Sequence, residues 1–219
     1  MKKQALYDFD GTVTSKDTTI MLLIELLKLR PWRIFGLIYF LSKMALTNNE
    51  DFKQKYKNNA VGFLIKGLND IGLSKALHGF KNKVNTIYRQ LVLISINKDL
   101  QDQCMVLVVT ASPSFAIKFC LSDLSVTVLG TEFEKKKGFY TGFLEGKNCY
   151  GQEKVNRINQ WALSNNIILN VKSAWSDHFS DFNMLNLSRE RNWIGGEQLR
   201  KLLIDNDPKA NFIYSKKDS

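Results

Sequence analysis

The sequence predicts an α/β protein in which a mostly parallel sheet is interrupted by one long helical insertion. Strand-like apolar runs alternate with helical patterns over residues 101–219, an order that is typical of a parallel sheet. From Asp17 to about Leu100 the pattern is helical, and no Gly/Pro-rich linker divides it. The chain has 219 residues, 44% of them hydrophobic, so it fits one large domain or one domain with an insertion.

The first strand covers residues 4–9, and it places Asp8 and Asp10 where the strand ends. The helical insertion then contains four apolar-periodic segments: IMLLIELLKL, RIFGLIYFLSKMAL, EDFKQKYKNNAVGFL and LSKALHGFKNKVNTIYRQLV.

The second half of the chain begins with CMVLVVT, residues 104–110, a continuous β-rich run that suits a parallel strand covered on both faces. The helix that follows is predicted to have Ser112 as its N-cap and Pro113 at its first position. The remaining pattern predicts a strand in SVTVLG, a hairpin with its turn at Lys137-Gly138, a helix in GQEKVNRINQWAL, a strand that ends near Trp175, and a last short strand in NWIGG.

The net charge of +10 favours acidic partners, which include nucleic acid, anionic membranes and phosphorylated substrates. No basic cluster alternates with aromatic residues, so we do not expect nucleic acid to be the partner. The three cysteines form no CxxC pair, which favours a reducing, cytoplasmic setting. The first residues put acids where a secretory leader would need an apolar region, so no such leader is expected.

Residues 31–46, PWRIFGLIYFLSKMAL, are the most apolar segment. Their longest charge-free stretch, residues 34–42, is too short for the roughly 20 residues that span a bilayer. Two interpretations stay open. The segment is a buried helix of the insertion, or it makes peripheral membrane contact, with Arg30, Arg33 and Lys43 meeting lipid phosphates.

Polar side chains follow several of the predicted strands. Because the carboxyl ends of parallel strands meet at one edge of a sheet, we expect these side chains to converge there. They are Asp8, Asp10, Thr110, Asp177, Asp181 and, at the start of a helix, Lys154.

Crowded carboxylates repel one another, and a divalent cation removes that conflict. An oxygen-only donor set indicates Mg²⁺. Together with a lysine, a hydroxyl and helix N-terminal amides that would hold phosphate oxygens, this set indicates phosphoryl transfer.

The segments DFDGTVT, VVTAS, GQEKV and WSDHFSDFNML resemble, in this order, the four motifs of the haloacid dehalogenase (HAD) superfamily. The helical insertion and the stretch GKNCYGQEKV resemble its phosphoserine-phosphatase-like branch. The resemblance covers nearly the whole chain. It implies a Rossmann-like parallel-sheet core, the HAD fold, built from residues 1–14 and 101–219, with an all-helical cap at residues 15–100.

The same resemblance implies the roles of individual residues. Asp8 would be the nucleophile that forms an aspartyl-phosphate, and Asp10 would be the general acid and base. Mg²⁺ would be held by the Asp8 side chain, the Asp10 backbone carbonyl and the Asp177 side chain. Thr110, the Ala111 amide and Lys154 would bind the phosphoryl group. Gly11, Ser180 and Asp181 would support the site, Asp181 by orienting Lys154 or a metal-bound water. His178 stands where the family commonly has Gly or Ser, and its role is not indicated.

The expected function is therefore Mg²⁺-dependent hydrolysis of a phosphomonoester, either a small phosphorylated metabolite or a lipid head group. A phosphoserine substrate would need an acid for its ammonium and an arginine for its carboxylate, and Glu25 with Arg30 or Arg33 are the candidates. Two alternatives stay open: a phosphotransferase or mutase with the same intermediate, and a basic membrane- or nucleic-acid-binding module with a decayed active site. The sequence does not indicate an oligomeric state.

Overall fold

The computed structural model describes residues 2–215 and contains a six-stranded, all-parallel sheet with the strand order β3-β2-β1-β6-β7-β8. A separate antiparallel hairpin is formed by β4 and β5. The strands are β1 (Gln4–Tyr7), β2 (Met105–Pro113), β3 (Thr127–Thr131), β4 (Phe133–Lys136), β5 (Phe139–Leu144), β6 (Val171–Ser176), β7 (Ser188–Gly195) and β8 (Asn211–Tyr214).

The helices of the described chain precede or connect these strands. They are α1 (Thr19–Leu29), α2 (Ile34–Leu46), α3 (Glu50–Ile65), α4 (Asp70–Asn85), α5 (Gln90–Gln101), α6 (Ser114–Cys120), α7 (Gln152–Ser164), α8 (Phe182–Leu185) and α9 (Glu197–Asn206). Single helical turns cover Pro31–Arg33 and Phe179–Asp181, and Phe9–Val13 forms a loop whose backbone is not helical at Asp10 and Gly11. The predicted α/β class, with a Rossmann-like sheet and a long helical insertion, is confirmed.

Strand β1 is the centre of the sheet, and all four of its residues are buried. The chain builds one half of the sheet through β2 and β3, then returns to the other side of β1 with β6. The crevice at this reversal, beyond the carboxyl ends of β1 and β6, is where open α/β sheets bind ligands. The register pairs Tyr7 with Val108 and with Trp175, so the residues just beyond these three positions lie at the same edge of the sheet.

The insertion leaves and rejoins the sheet domain through two chain segments that lie side by side. Thr14 and Tyr88 form an isolated antiparallel bridge. The amide of Ser15 donates to the Ile87 carbonyl at 2.8 Å, and the amide of Arg89 donates to the Val13 carbonyl at 2.8 Å. Helices α1 to α4 pack on one another, whereas α5 packs against β2. The cap boundaries at residues 15 and 100 remain a prediction.

The hairpin forms where the sequence predicts it. Lys137 and Gly138 both have positive φ angles, 51° and 82°, as a two-residue hairpin turn requires. Strand β5 then meets the insertion: a Cβ at Gly62 of α3 would lie 2.0 Å from the Gly142 carbonyl oxygen. Helix and hairpin can approach this closely only because Gly62 has no side chain.

Two local predictions are wrong. The helix after β2 begins at Ser114 rather than Pro113, and Ser112 does not cap it; its hydroxyl bonds to Asp10 instead. NWIGG is not a short last strand, since it forms the end of the eight-residue β7 and is followed by α9 and β8. The pair Gly195-Gly196 breaks the pattern there, and β8 is a four-residue edge strand whose sequence carries little signal.

Candidate active site

The loop after β1 carries the first two acids of the site. Asp8 is 6% exposed, and its amide donates to the Trp175 carbonyl of β6 at 2.9 Å. The loop then turns at Gly11, whose φ angle is +80°. A Cβ at this position would lie 2.1 Å from Asp177 Oδ2. Only glycine lets the loop pass this close to the carboxylate that follows β6.

Lys154 connects the nucleophile candidate to the fourth motif. Its Nζ lies 2.6 Å from Asp8 Oδ1 and 2.7 Å from Asp181 Oδ2, and all three side chains are buried. Burial lowers the pKa of Lys154, but the carboxylates of Asp181 and Asp8 together raise it above its usual value. The lysine is therefore a fixed cation between two acids.

The pKa of Asp8 is raised well above its usual value, chiefly by burial. Lys154 lowers this pKa, while the carboxylates of Asp181 and Asp177 raise it. Thr12 lies between two of these acids: its hydroxyl is 3.3 Å from Asp8 Oδ2 and 3.5 Å from Asp177 Oδ1. One lysine thus leaves the cluster with more negative than positive charge.

Within the described chain, only one carboxylate oxygen of Asp181 accepts hydrogen bonds. Its Oδ2 accepts from Lys154 and also from the Ser176 hydroxyl at 2.7 Å. Its Oδ1 is buried and has no hydrogen-bond partner among residues 2–215. A buried carboxylate oxygen of this kind requires a water, another donor or a cation beside it.

Asp10 is held by three donors from two elements. The amide and the hydroxyl of Thr18 donate to its Oδ1 at 2.7 and 2.6 Å, and the Ser112 hydroxyl donates to its Oδ2 at 2.5 Å. Burial, and then the nearby Asp17, raise the pKa of Asp10; the bonds from Ser112 and Thr18 oppose this rise without cancelling it. Asp10 is therefore a fixed carboxyl group that binds its proton more strongly than an ordinary aspartate.

The remaining predicted residues line the same cleft. Thr110, near the end of β2, is buried, and its hydroxyl accepts from the Ser112 amide at 3.0 Å. Ala111 adjoins it in the cleft wall. Ser180 contacts its neighbour His178, with 2.8 Å between the Ser180 hydroxyl and His178 Nδ1. His178 thus shapes the loop after β6 as well as lining the cleft.

The cleft has a volume of about 410 Å³, and helix α3 forms its far wall. No sequence pattern predicted this wall. Its side chains are Glu50, Gln54, Lys57, Asn58 and Val61. Lys57 makes an ion pair with Asp17. Asn58 is 7% exposed, so this polar side chain is largely buried in the cleft wall. The positions recur every three or four residues, a signal that marks one helix face but does not say what it faces.

The candidates for recognising phosphoserine are placed elsewhere. Glu25 is buried between α1 and α4 and pairs with Lys28 and Lys83, at 2.7 Å each. Arg30 donates to the Lys66 carbonyl at 2.6 Å, and Arg33 donates to the carbonyl of Phe63. None of the three lines the cleft, so the expectation that they bind a substrate ammonium and carboxylate is wrong.

Comparison with known proteins agrees with this arrangement. A family model described as haloacid dehalogenase-like hydrolase matches residues 5–186, which include every site residue discussed above. No curated protein matches the chain in sequence.

Several solved structures share the fold. A protein of unknown function from Bordetella pertussis Tohama I has 20% identity and a TM-score of 0.77, with 97% of this chain and 99% of that chain covered. A phosphoserine phosphatase in its apo form has 20% identity and a TM-score of 0.61, covering 100% and 96%. Cytosolic 5'-nucleotidase IIIB bound to cytidine has 14% identity and a TM-score of 0.68, covering 99% and 81%.

Proposed function

Because this chain belongs to the haloacid dehalogenase-like hydrolase family, we propose that it is a Mg²⁺-dependent phosphatase that hydrolyses a phosphomonoester through an aspartyl-phosphate on Asp8. The observation that carries the proposal is the position of Lys154 Nζ between Asp8 and Asp181. It brings residues 8, 154 and 181 into one buried cluster at the ligand-binding edge of the sheet.

In the first step a carboxylate oxygen of Asp8 attacks phosphorus, and the bond between phosphorus and the leaving oxygen breaks. Asp10 gives its proton to that leaving oxygen, so the product alcohol departs neutral. The pKa of Asp10 is raised, chiefly by burial, and this direction favours its role as proton donor. Thr18 and Ser112 hold the carboxyl group in position.

In the second step Asp10, now a carboxylate, takes a proton from water as the water oxygen attacks the same phosphorus atom. The bond between phosphorus and Asp8 breaks, inorganic phosphate leaves, and both aspartates return to their starting states. Lys154 offsets negative charge on the phosphoryl oxygens, and Thr110 with the Ala111 amide donates to them. Asp181 and Ser176 keep the lysine in place.

The donor chemistry fits Mg²⁺, which prefers oxygen ligands and keeps several waters. The Asp8 and Asp177 side chains and the Asp10 carbonyl would hold the ion, and Asp181 Oδ1, which lacks a partner in the described chain, would accept from one of its waters. Within residues 2–215 no group of three or more His, Cys, Asp or Glu side chains is arranged to hold a metal ion by itself. Bound Mg²⁺ would supply positive charge beside the phosphate dianion.

The test uses p-nitrophenyl phosphate with the purified protein. We expect hydrolysis that requires Mg²⁺ and disappears in Asp8→Asn, because an amide cannot act as the nucleophile. Asp123→Asn is the matched control, since the Asp123 side chain is 80% exposed on the surface. Far-ultraviolet circular dichroism shows whether each variant is folded. Turnover that persists in folded Asp8→Asn would refute the nucleophile assignment.

A small, polar leaving group suits the cleft better than a long apolar one, since α3 presents mainly polar side chains there. A screen of phosphorylated metabolites, with lipid phosphates included, tests this. Product analysis with and without an added acceptor alcohol separates hydrolysis from phosphotransfer. A cytoplasmic location stays part of the proposal, and it is supported by three buried cysteines that are all free thiols.

A further inference from the structure

Helix α2 is apolar around most of its circumference, but protein covers only one side of it. Leu37 is 4% exposed, and the ring of Phe40 lies 5.8 Å from the ring of Phe63 on α3. The opposite side and the turn before the helix present large apolar side chains to solvent, which we call the α2 outer face: Trp32 (70% exposed), Phe35 (81%), Ile38 (53%), Tyr39 (55%) and Leu46 (82%).

The chain segment that carries the α2 outer face contains cations and no acids. Residues 26–49 contain no Asp or Glu and four cations, at positions 28, 30, 33 and 43. Lys43 Nζ lies 5.8 Å from the centre of the Tyr39 ring, so this charge is on the outer face itself. Glu25 and Glu50, the acids that bound the segment, are already ion-paired at 2.7 Å with lysines.

These features select one kind of partner. A second copy of the chain, docked face to face about a two-fold axis, would bring the same cations together. In the described chain no helix has both the length and the apolar character needed to cross a bilayer. An amphipathic helix with aromatic residues and lysine or arginine at its border is suited to lie in the plane of an anionic membrane.

We infer that the α2 outer face docks on an anionic lipid surface, with Phe35 and Ile38 entering the boundary between head groups and acyl chains and Lys43 contacting lipid phosphates. The cleft is not part of this contact. Helix α3 separates the two: its Phe63 packs toward α2, whereas Lys57 and Asn58 line the cleft. The docking inference can therefore be tested separately from the proposed catalysis.

The test is flotation of the full chain with vesicles of phosphatidylcholine alone, and with vesicles that contain about one third phosphatidylglycerol. The test variant is Phe35→Asp with Ile38→Asp. The matched control is Leu163→Asp with Ile168→Asp, which makes the same charge change at side chains that are 79% and 73% exposed at and beyond the end of α7. Sedimentation velocity and p-nitrophenyl phosphate hydrolysis are measured on all three proteins.

We expect the wild type and the control to bind only the anionic vesicles, with binding that weakens as salt rises. The test variant should bind at least about tenfold more weakly and should remain folded, with the hydrolysis rate of the wild type. Wild-type protein that does not float with anionic vesicles, or a test variant that floats equally well, would overturn the inference. So would a dimer that the test variant abolishes, because the face would then belong to a second copy. Wild-type protein that binds anionic vesicles but does not hydrolyse p-nitrophenyl phosphate would support the docking inference and refute the proposal that the protein is a phosphatase.

Discussion

The Ser112 hydroxyl lies 2.5 Å from Asp10 Oδ2 and joins the end of β2 to the loop after β1. Sequence reasoning placed Ser112 at a helix N-terminus, where its hydroxyl would cap the helix. It instead lies within β2, where its amide donates to the Thr110 hydroxyl at 3.0 Å. The segment at residues 110–112 therefore contributes both a phosphate-binding candidate and a positioning group for the acid.

The first prediction concerns this bond. Ser112→Ala removes a hydrogen bond that lowers the pKa of Asp10, so that pKa should rise and the carboxyl group should lose its fixed position. We expect kcat to fall about tenfold with little change in KM. Because Asp10 must be protonated in the first step, the decline of the rate at high pH should move to higher pH. Steady-state rates across pH measure both effects.

Ser122→Ala is the control for this variant, since Ser122 is exposed and bonds to Lys81 and Asp123, away from the cleft. Equal rates and superimposable pH profiles for wild type and Ser112→Ala would show that the bond does not position the acid.

The second prediction separates backbone strain from a steric clash. Gly11 and Gly138 have nearly equal φ angles, +80° and +82°. The backbone strain of an alanine should therefore lower the free energy of unfolding by a similar amount at either position, about 1–2 kcal/mol. A Cβ at Gly138 meets nothing within 4 Å, whereas at Gly11 it meets the Asp177 carboxylate. We expect Gly11→Ala to raise the Mg²⁺ concentration needed for half-maximal activity about tenfold or more, and Gly138→Ala to leave it unchanged. Mg²⁺ titrations of the hydrolysis rate test this, and equal behaviour of the two variants would count against a metal site at Asp177.

The third prediction concerns Glu25, whose carboxylate joins α1 to α4. Burial raises its pKa, but the hydrogen bonds and charges of Lys28 and Lys83 lower it below the usual value overall. A carboxyl group with a lowered folded-state pKa stabilises the protein above its unfolded-state pKa, and this contribution is lost as pH falls through the folded-state pKa. Glu25→Gln should therefore cost about 0.5–1 kcal/mol of unfolding free energy at pH 7. The cost should vanish at a pH below the lowered pKa.

Urea unfolding of wild type and Glu25→Gln at several pH values measures this difference, with the exposed Glu145→Gln as control. KM should not change in Glu25→Gln, since Glu25 does not line the cleft. A pH-independent difference in stability would contradict the ion-pair explanation.

Much of this architecture could be predicted from local sequence. Continuous apolar runs such as residues 104–110 suit buried parallel strands because these strands are covered on both faces. Lys137-Gly138 indicates a hairpin because the turn needs positive φ angles. The site acids could be found because strand ends converge at one edge of a parallel sheet, and that geometry follows from the order of the strands.

What could not be predicted depends on contacts between distant segments. The α3 face with Lys57 and Asn58 is an ordinary polar helix stripe until the fold of the insertion places it over the cleft. In sequence, Glu25 is similar to a substrate-binding acid. In the structure it is packed between helices, because α4 comes so close that a Cβ added at Gly79 would lie 2.4 Å from Glu25 Oε2. Strand β8 depends on pairing with the edge of β7, which no local signal specifies.

The last prediction distinguishes the structural role of Lys154 from its chemical role. Lys154→Met removes the cation from between two buried carboxylates, and unpaired buried charge of this kind costs about 3–5 kcal/mol. Adding Asp181→Asn removes one of the stranded charges, so the double variant should regain part of the lost unfolding free energy. Activity should stay absent in both variants, because neither supplies a cation for the phosphoryl oxygens. Urea unfolding and p-nitrophenyl phosphate hydrolysis measure the two properties separately. If activity returned together with stability, Lys154 would act only by keeping the fold intact.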